Sequence, residues 1–145
     1  MAGYKSRGDH IYDGLHFAAE DLTNGLFVTI NANNKVAKLA AKDANIELCV
    51  IGKYVQWGGM YFLECDVMKN ASTNVYFTEG EWTLDDDFMY DETAWVIKAN
   101  KLVKMSMPVV HDTLFFSVEK TLYDALNVGD TVNPTTGGTV VKKSA

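Results

Sequence analysis

Ile46-Glu47-Leu48-Cys49-Val50-Ile51-Gly52-Lys53-Tyr54-Val55 is a β-branched run. Gln56-Trp57-Gly58-Gly59 follows, and then Met60-Tyr61-Phe62-Leu63-Glu64-Cys65-Asp66-Val67. Two extended apolar runs about a Gly-Gly turn make the clearest β-hairpin in the chain. Two registers compete. One centred on Trp57 sets Cys49 opposite Cys65 but puts Leu48 and Val50 against Asp66 and Glu64. Slipping by one residue puts Leu48 and Val50 opposite Val67 and Cys65, a better apolar match. A one-residue slip exchanges the two faces of a strand, so the sequence leaves both open.

The same kind of pattern extends in both directions. Leu26, Val28 and Ile30 alternate at period two, Asn31-Ala32-Asn33-Asn34 is a turn cluster, and Lys35 to Ala40 reads as the returning strand. Asn74 to Phe77 and Leu114 to Val118 are further strands. Ala94–Lys98 and Leu102–Met107 flank Ala99-Asn100-Lys101 as a predicted hairpin. Thr131-Val132-Asn133 and Thr139-Val140-Val141 do the same about Pro134-Thr135-Thr136-Gly137-Gly138. Short strands at spacings near ten predict an all-β fold, a small barrel or sandwich of antiparallel strands. Strand alternation does not separate the two. Helical signals are few. Leu15, Ala18, Ala19 and Leu22 have helical spacing behind Asp13, and Thr121-Leu122-Tyr123-Asp124 resembles a capping box.

The 145 residues suit one domain, with 48% apolar and 22% charged residues to give it an ordinary core. Residues 1–22 read as an N-terminal arm, 23–142 as a single β domain and 143–145 as a frayed end. No apolar run reaches membrane-spanning length and no basic-then-apolar leader opens the chain, so neither a membrane nor secretion is expected. Net charge is −6, and Arg7 is the one arginine among 13 cations. A nucleic-acid partner is therefore not expected, since binding phosphates needs a basic face.

Chemical constellations are sparse. His10, His16 and His111 are scattered, and Cys49 and Cys65 lack CxxC spacing, so no metal is expected. Asp85-Asp86-Asp87, with Asp91 and Glu92 beyond, lacks the alternation and central Gly of a calcium loop and reads as a solvated acidic loop. His111-Asp112-Thr113 has no adjacent nucleophile. Glu64 with Asp66, and Glu79 with Glu81, have same-face strand spacing, which surface carboxylates also have. Gly58-Gly59 and Gly137-Gly138 belong to no phosphate loop. Arg7-Gly8-Asp9 and the sequon Asn70-Ala71-Ser72 are letter matches of ordinary composition. The expectation is a non-enzymatic protein without cofactors. Trp57 at the hairpin tip, with Tyr54 and Tyr61, is the one candidate stacking platform for a glycan.

Three stretches carry a family resemblance. They are Asn24-Gly25-Leu26-Phe27-Val28-Thr29-Ile30, then Lys35-Val36-Ala37-Lys38-Leu39-Ala40, then Leu126-Asn127-Val128-Gly129-Asp130-Thr131-Val132. Their order resembles that of head decoration and auxiliary capsid proteins of tailed bacteriophages, over about residues 22–142. The resemblance implies a virion structural protein made in the host cytoplasm. It would bind the major capsid protein or other virion proteins, and a homo-oligomer is compatible with it. Tyr4, Ile11, Tyr12, Leu15 and Phe17 of the arm, and Trp57, are the expected partner-binding residues. The acidic charge points to the capsid exterior, since packaged DNA would repel it. Tail-tube, head-completion and fibre-base proteins, and a carbohydrate-binding sandwich, are the alternatives.

Overall fold

A computed structural model describes residues 4–7, 11–13, 15–40, 46–56, 59–70, 74–78 and 96–143; residues 4–7, 11–13 and Gln56 are described by backbone alone. The strands are β1 Tyr4–Arg7, β2 Ile11–Asp13, β3 Leu22–Thr23, β4 Phe27–Ile30, β5 Val36–Lys38, β6 Glu47–Gln56 and β7 Met60–Lys69. They continue with β8 Tyr76–Thr78, β9 Val96–Ile97, β10 Met105–Met107, β11 Thr113–Val118, β12 Thr131–Pro134 and β13 Val140–Lys142. One helix, α1 Lys120–Ala125, lies among the described residues.

The β6–β7 hairpin takes the apolar register, with Leu48 opposite Val67 and Val50 opposite Cys65. Burial decides this. Leu48, Val50, Cys65 and Val67 all face the core, and the other register would trade that contact for facing carboxylates. A bulge after Val50 leaves Ile51 without a partner, and Lys53 then pairs with Leu63 and Tyr54 with Phe62. Gly59 closes the turn at φ +77°, a conformation that favours glycine.

Two open antiparallel sheets are built around this hairpin, in the orders β1-β11-β7-β6-β12-β13 and β2-β10-β8-β4-β5. The fold is all-β and sandwich-like, not a closed barrel. Phe27 and Phe77 of the second sheet meet Phe116 of the first. The Phe27 and Phe77 centroids stand 4.9 Å apart, and those of Phe77 and Phe116 5.8 Å. All three rings are fully buried, and tilted or edge-on pairs add about 0.5–1.5 kcal/mol each beyond area burial.

Phe27 and Val28 are adjacent in β4 and both fully buried, although they point to opposite faces. Val28 belongs to a second cluster with Ala18, Leu22, Leu26, Val36, Val103 and Met105. A third layer therefore covers the outer face of the five-stranded sheet. It consists of the β3–β9 pair and the bridges Phe17–Leu102 and Ala18–Val36.

This layer corrects two sequence expectations. Residues 15–22 are not helical. Their backbone is taken by long-range bonds, Val103 N–H to His16 O at 2.9 Å and Ala18 N–H to Lys101 O at 2.8 Å. Eight residues are too few to hold a helix against such competition. The hairpin expected across Ala99-Asn100-Lys101 keeps its turn, with Lys101 N–H bonded to Lys98 O and Asn100 at φ +70°. Its arms nevertheless separate. Ala18 takes the bonding positions beside the turn, β9 pairs with β3, and β10 pairs with β2 and β8.

The helix starts at Lys120 behind Glu119, which makes no side-chain cap, so Thr121 lies inside α1 and the expected capping box is not formed. Tyr123 packs on Tyr61, and Lys53 reaches over the Tyr123 ring to bond Leu126 O at 2.7 Å. The other hairpins stand where the sequence puts them. Asn31 Oδ1 accepts from Asn33 and Lys35 N–H to hold the β4–β5 turn, and β12 pairs with β13.

Candidate functional site

Residues of the expected arm are divided between the two sheets. Tyr4 pairs through its backbone with Phe116 at the edge of the six-stranded sheet. Ile11 and Tyr12 pair with Met107 and Ser106 at the edge of the five-stranded one. Leu15 and Phe17 come next in the chain and remain outside the core, 85% and 50% exposed. Trp57 lies outside the described residues.

The structure brings Leu15 and Phe17 together with a residue the sequence reading did not single out. Leu102 bridges Phe17 in antiparallel register and is 57% exposed. Directly opposed residues share a face, as do residues two apart along an extended chain. Leu15, Phe17 and Leu102 thus form one apolar stripe on the outer side of the third layer, with the buried Ala18 and Val103 facing inward behind it. Leu102 could not be found from local pattern, because its neighbour comes from a segment 85 residues away whose helical spacing pointed elsewhere.

Other sequence candidates are drawn apart. Tyr54 lies on the outer face of the six-stranded sheet against Phe115, with centroids 5.8 Å apart, while Phe62 stacks on Phe115 at 5.0 Å. Tyr61 packs against Tyr123 on the opposite face. Tyr54 and Tyr61 therefore do not form a single stacking platform.

His111 is exposed at φ +83°, whereas Asp112 is buried and its Oδ2 accepts from Val109 N–H at 2.9 Å. Thr113 donates to Asp66 Oδ1 at 2.8 Å. Three consecutive polar residues thus point to a turn surface, a buried bend and a strand face. Glu64 and Asp66 do share the outer face of β7. Glu79, Glu81, the 85–87 acidic run, Asp91, Glu92 and His10 lie outside the described residues. Among the described residues no group of three or more His, Cys, Asp or Glu could hold a metal ion. No helix among them is long and apolar enough to cross a membrane.

Two carboxylates at the β12–β13 end are held below their usual range. A hydrogen bond and the charge of Lys143 lower Glu47. The Asn127 N–H, followed by Lys142, lowers Asp130. Both carboxylates anchor the C-terminal strand electrostatically.

The chain matches no protein-family model, no curated protein and no solved structure.

Proposed function

We propose that the chain is a non-enzymatic virion structural protein that decorates the exterior of a tailed-phage capsid, docking on major capsid subunits through its third layer. The observation that carries this reading is the Leu15–Phe17–Leu102 stripe. A small domain with a well-filled core has no internal use for three large apolar side chains on one surface, and such patches mark contact sites. The stretches that resemble head decoration proteins meet in one core, where Phe27, Leu39, Leu126 and Val132 belong to a single buried cluster. A net charge of −6 favours the outer surface over the DNA-facing one.

The test is co-sedimentation of the full chain with tailed-phage heads assembled without it, together with a Phe17→Ser/Leu102→Ser double variant. Burying each side chain is worth about 1.5–3 kcal/mol, so each loss should weaken a single contact by roughly tenfold or more. Saturable binding to the outer shell that the double variant loses supports the reading. Failure to sediment with heads, or binding only to tails, overturns it.

A further inference from the structure

The third layer is basic on an acidic chain. Lys35, Lys38, Lys98, Lys101 and Lys104 are exposed on or beside it, against Glu20 and Asp21, while the whole chain carries a net charge of −6. Both acids are taken at the end away from Leu15, where Lys38 Nζ lies 3.9 Å from Glu20 and Lys98 Nζ 3.7 Å from Asp21. Lys35 Nζ bonds the neutral Asn100 Oδ1 at 3.4 Å, and neither Lys35 nor Lys101 meets a carboxylate among the described residues.

The backbone sets two of these lysines against the apolar stripe. Val103 N–H bonds His16 O and Ala18 N–H bonds Lys101 O, so Phe17 with Leu102 is a non-hydrogen-bonded pair, in which side chains stand closest. One step along the same register places Lys104 opposite Leu15 and on its face. On the other flank, Val36 N–H bonds Phe17 O and Ala19 N–H bonds Val36 O. That is the parallel bridge at Ala18, and it sets Lys35 beside Phe17. From there Lys35 reaches over the central segment to Asn100. The stripe is therefore edged by Lys35 on one flank and Lys104 on the other, with Lys101 at the turn next to Leu102.

We infer that the third layer recognises a protein surface in which an apolar groove is edged by Asp and Glu side chains. The inference rests on this layer being the docking face, and adds what that face selects. The stripe fills the groove, and the partner's carboxylates meet the lysines. Rim charges of opposite sign raise the rate of encounter, and the apolar centre sets how long the contact lasts. A second copy of the same face is disfavoured, because it would set lysines against lysines. Duplex phosphates match the lysines but leave three apolar side chains without partners. A membrane matches both but holds too weakly. Three partly buried side chains offer no more apolar surface than one acyl chain, and one acyl chain gives only marginal membrane binding.

Binding kinetics of the full chain on immobilised tailed-phage heads assembled without it test this. Salt is raised from about 0.1 M to about 1 M, so that the screening length falls from ~10 Å to ~3 Å. The association rate should fall about tenfold or more over that range, and Lys35→Glu/Lys101→Glu/Lys104→Glu should lower it as far at low salt. Phe17→Ser/Leu102→Ser should instead speed dissociation and leave the association rate within about twofold. Heads that never bind the parent chain overturn the docking reading and this inference together. Heads that bind it at a rate that neither salt nor the triple variant changes overturn this inference alone. So does tighter binding to duplex DNA or to phosphatidylglycerol vesicles that the triple variant loses, since phosphate would then be what the lysines recognise.

Discussion

Cys65 stands opposite Val50 across the β6–β7 hairpin, and Cys49 stands opposite Asp66. The two sulfurs lie on adjacent strands but on opposite faces, since the slip that buries Leu48 and Val67 also separates them. Both are free thiols. Burial pushes the Cys65 thiol well above its ordinary value, and Cys49 and the acidic neighbours push in the same direction. Only the thiolate reacts readily. Maleimide labelling of the native protein followed by mass spectrometry should modify Cys49 first, and Cys65 only after urea unfolding. Equal rates for the two would contradict the register.

Gly138 is held tightly in its place. Its φ is +89°, and an added Cβ would strike the Phe27 carbonyl oxygen and the Leu26 side chain. Gly137 has a similar φ of +87° with open space around it. Gly137→Ala should cost about 1 kcal/mol for the left-handed backbone alone. Gly138→Ala should cost about 2–4 kcal/mol, because the bond from Phe27 N–H to Gly138 O must also move. Urea unfolding of the two variants separates these contributions, and equal losses would refute the contact.

Much of the fold is legible along the chain, and the missing parts share a cause. The β6–β7, β4–β5 and β12–β13 hairpins are local, with turn residues such as Asn31, Asn34 and Gly137 and apolar alternation to mark them. The third layer is not local. Ala18 and Leu22 have helical spacing, but their contacts are with Val36, Ile97 and Lys101, and a single sequence carries no sign of that pairing. β4 shows only half of its role, since the alternation of Leu26, Val28 and Ile30 marks one buried face and Phe27 buries the other against the first sheet. At the candidate site, Leu15 and Phe17 could be picked out as apolar residues in a polar segment. Leu102 became visible only when the bridge to Phe17 was in place.

Thr78 ties the layers together through one buried hydroxyl. Its Oγ1 accepts from Leu26 N–H at 2.9 Å and donates to Thr23 O at 2.7 Å. Thr78→Val keeps the shape and leaves both backbone groups without this partner, so it should cost about 1–3 kcal/mol. Thr78→Ser should retain most of that stability. If valine proves as stable as threonine in urea unfolding, the hydroxyl is not the link between β8 and the third layer.

Asp130 gives the C-terminal hairpin a defined response to acid. Its Oδ2 accepts from Asn127 N–H at 2.8 Å, and Lys142 lies nearby, so the carboxyl is held below its ordinary value. A carboxylate lowered by folding contributes its stability in full above the unfolded value, and loses it as pH falls through the folded one. Glu47 of β6, lowered by Lys143, acts in the same direction. Asp130→Asn keeps an acceptor for Asn127 but removes the attraction to Lys142. The variant should therefore be less stable than the parent at neutral pH, and the difference should narrow in acid, closing once pH has fallen through the lowered folded value. Urea midpoints at neutral pH and in acid measure this. A difference that persists unchanged in acid would mean that Asp130 acts through shape and not through its charge.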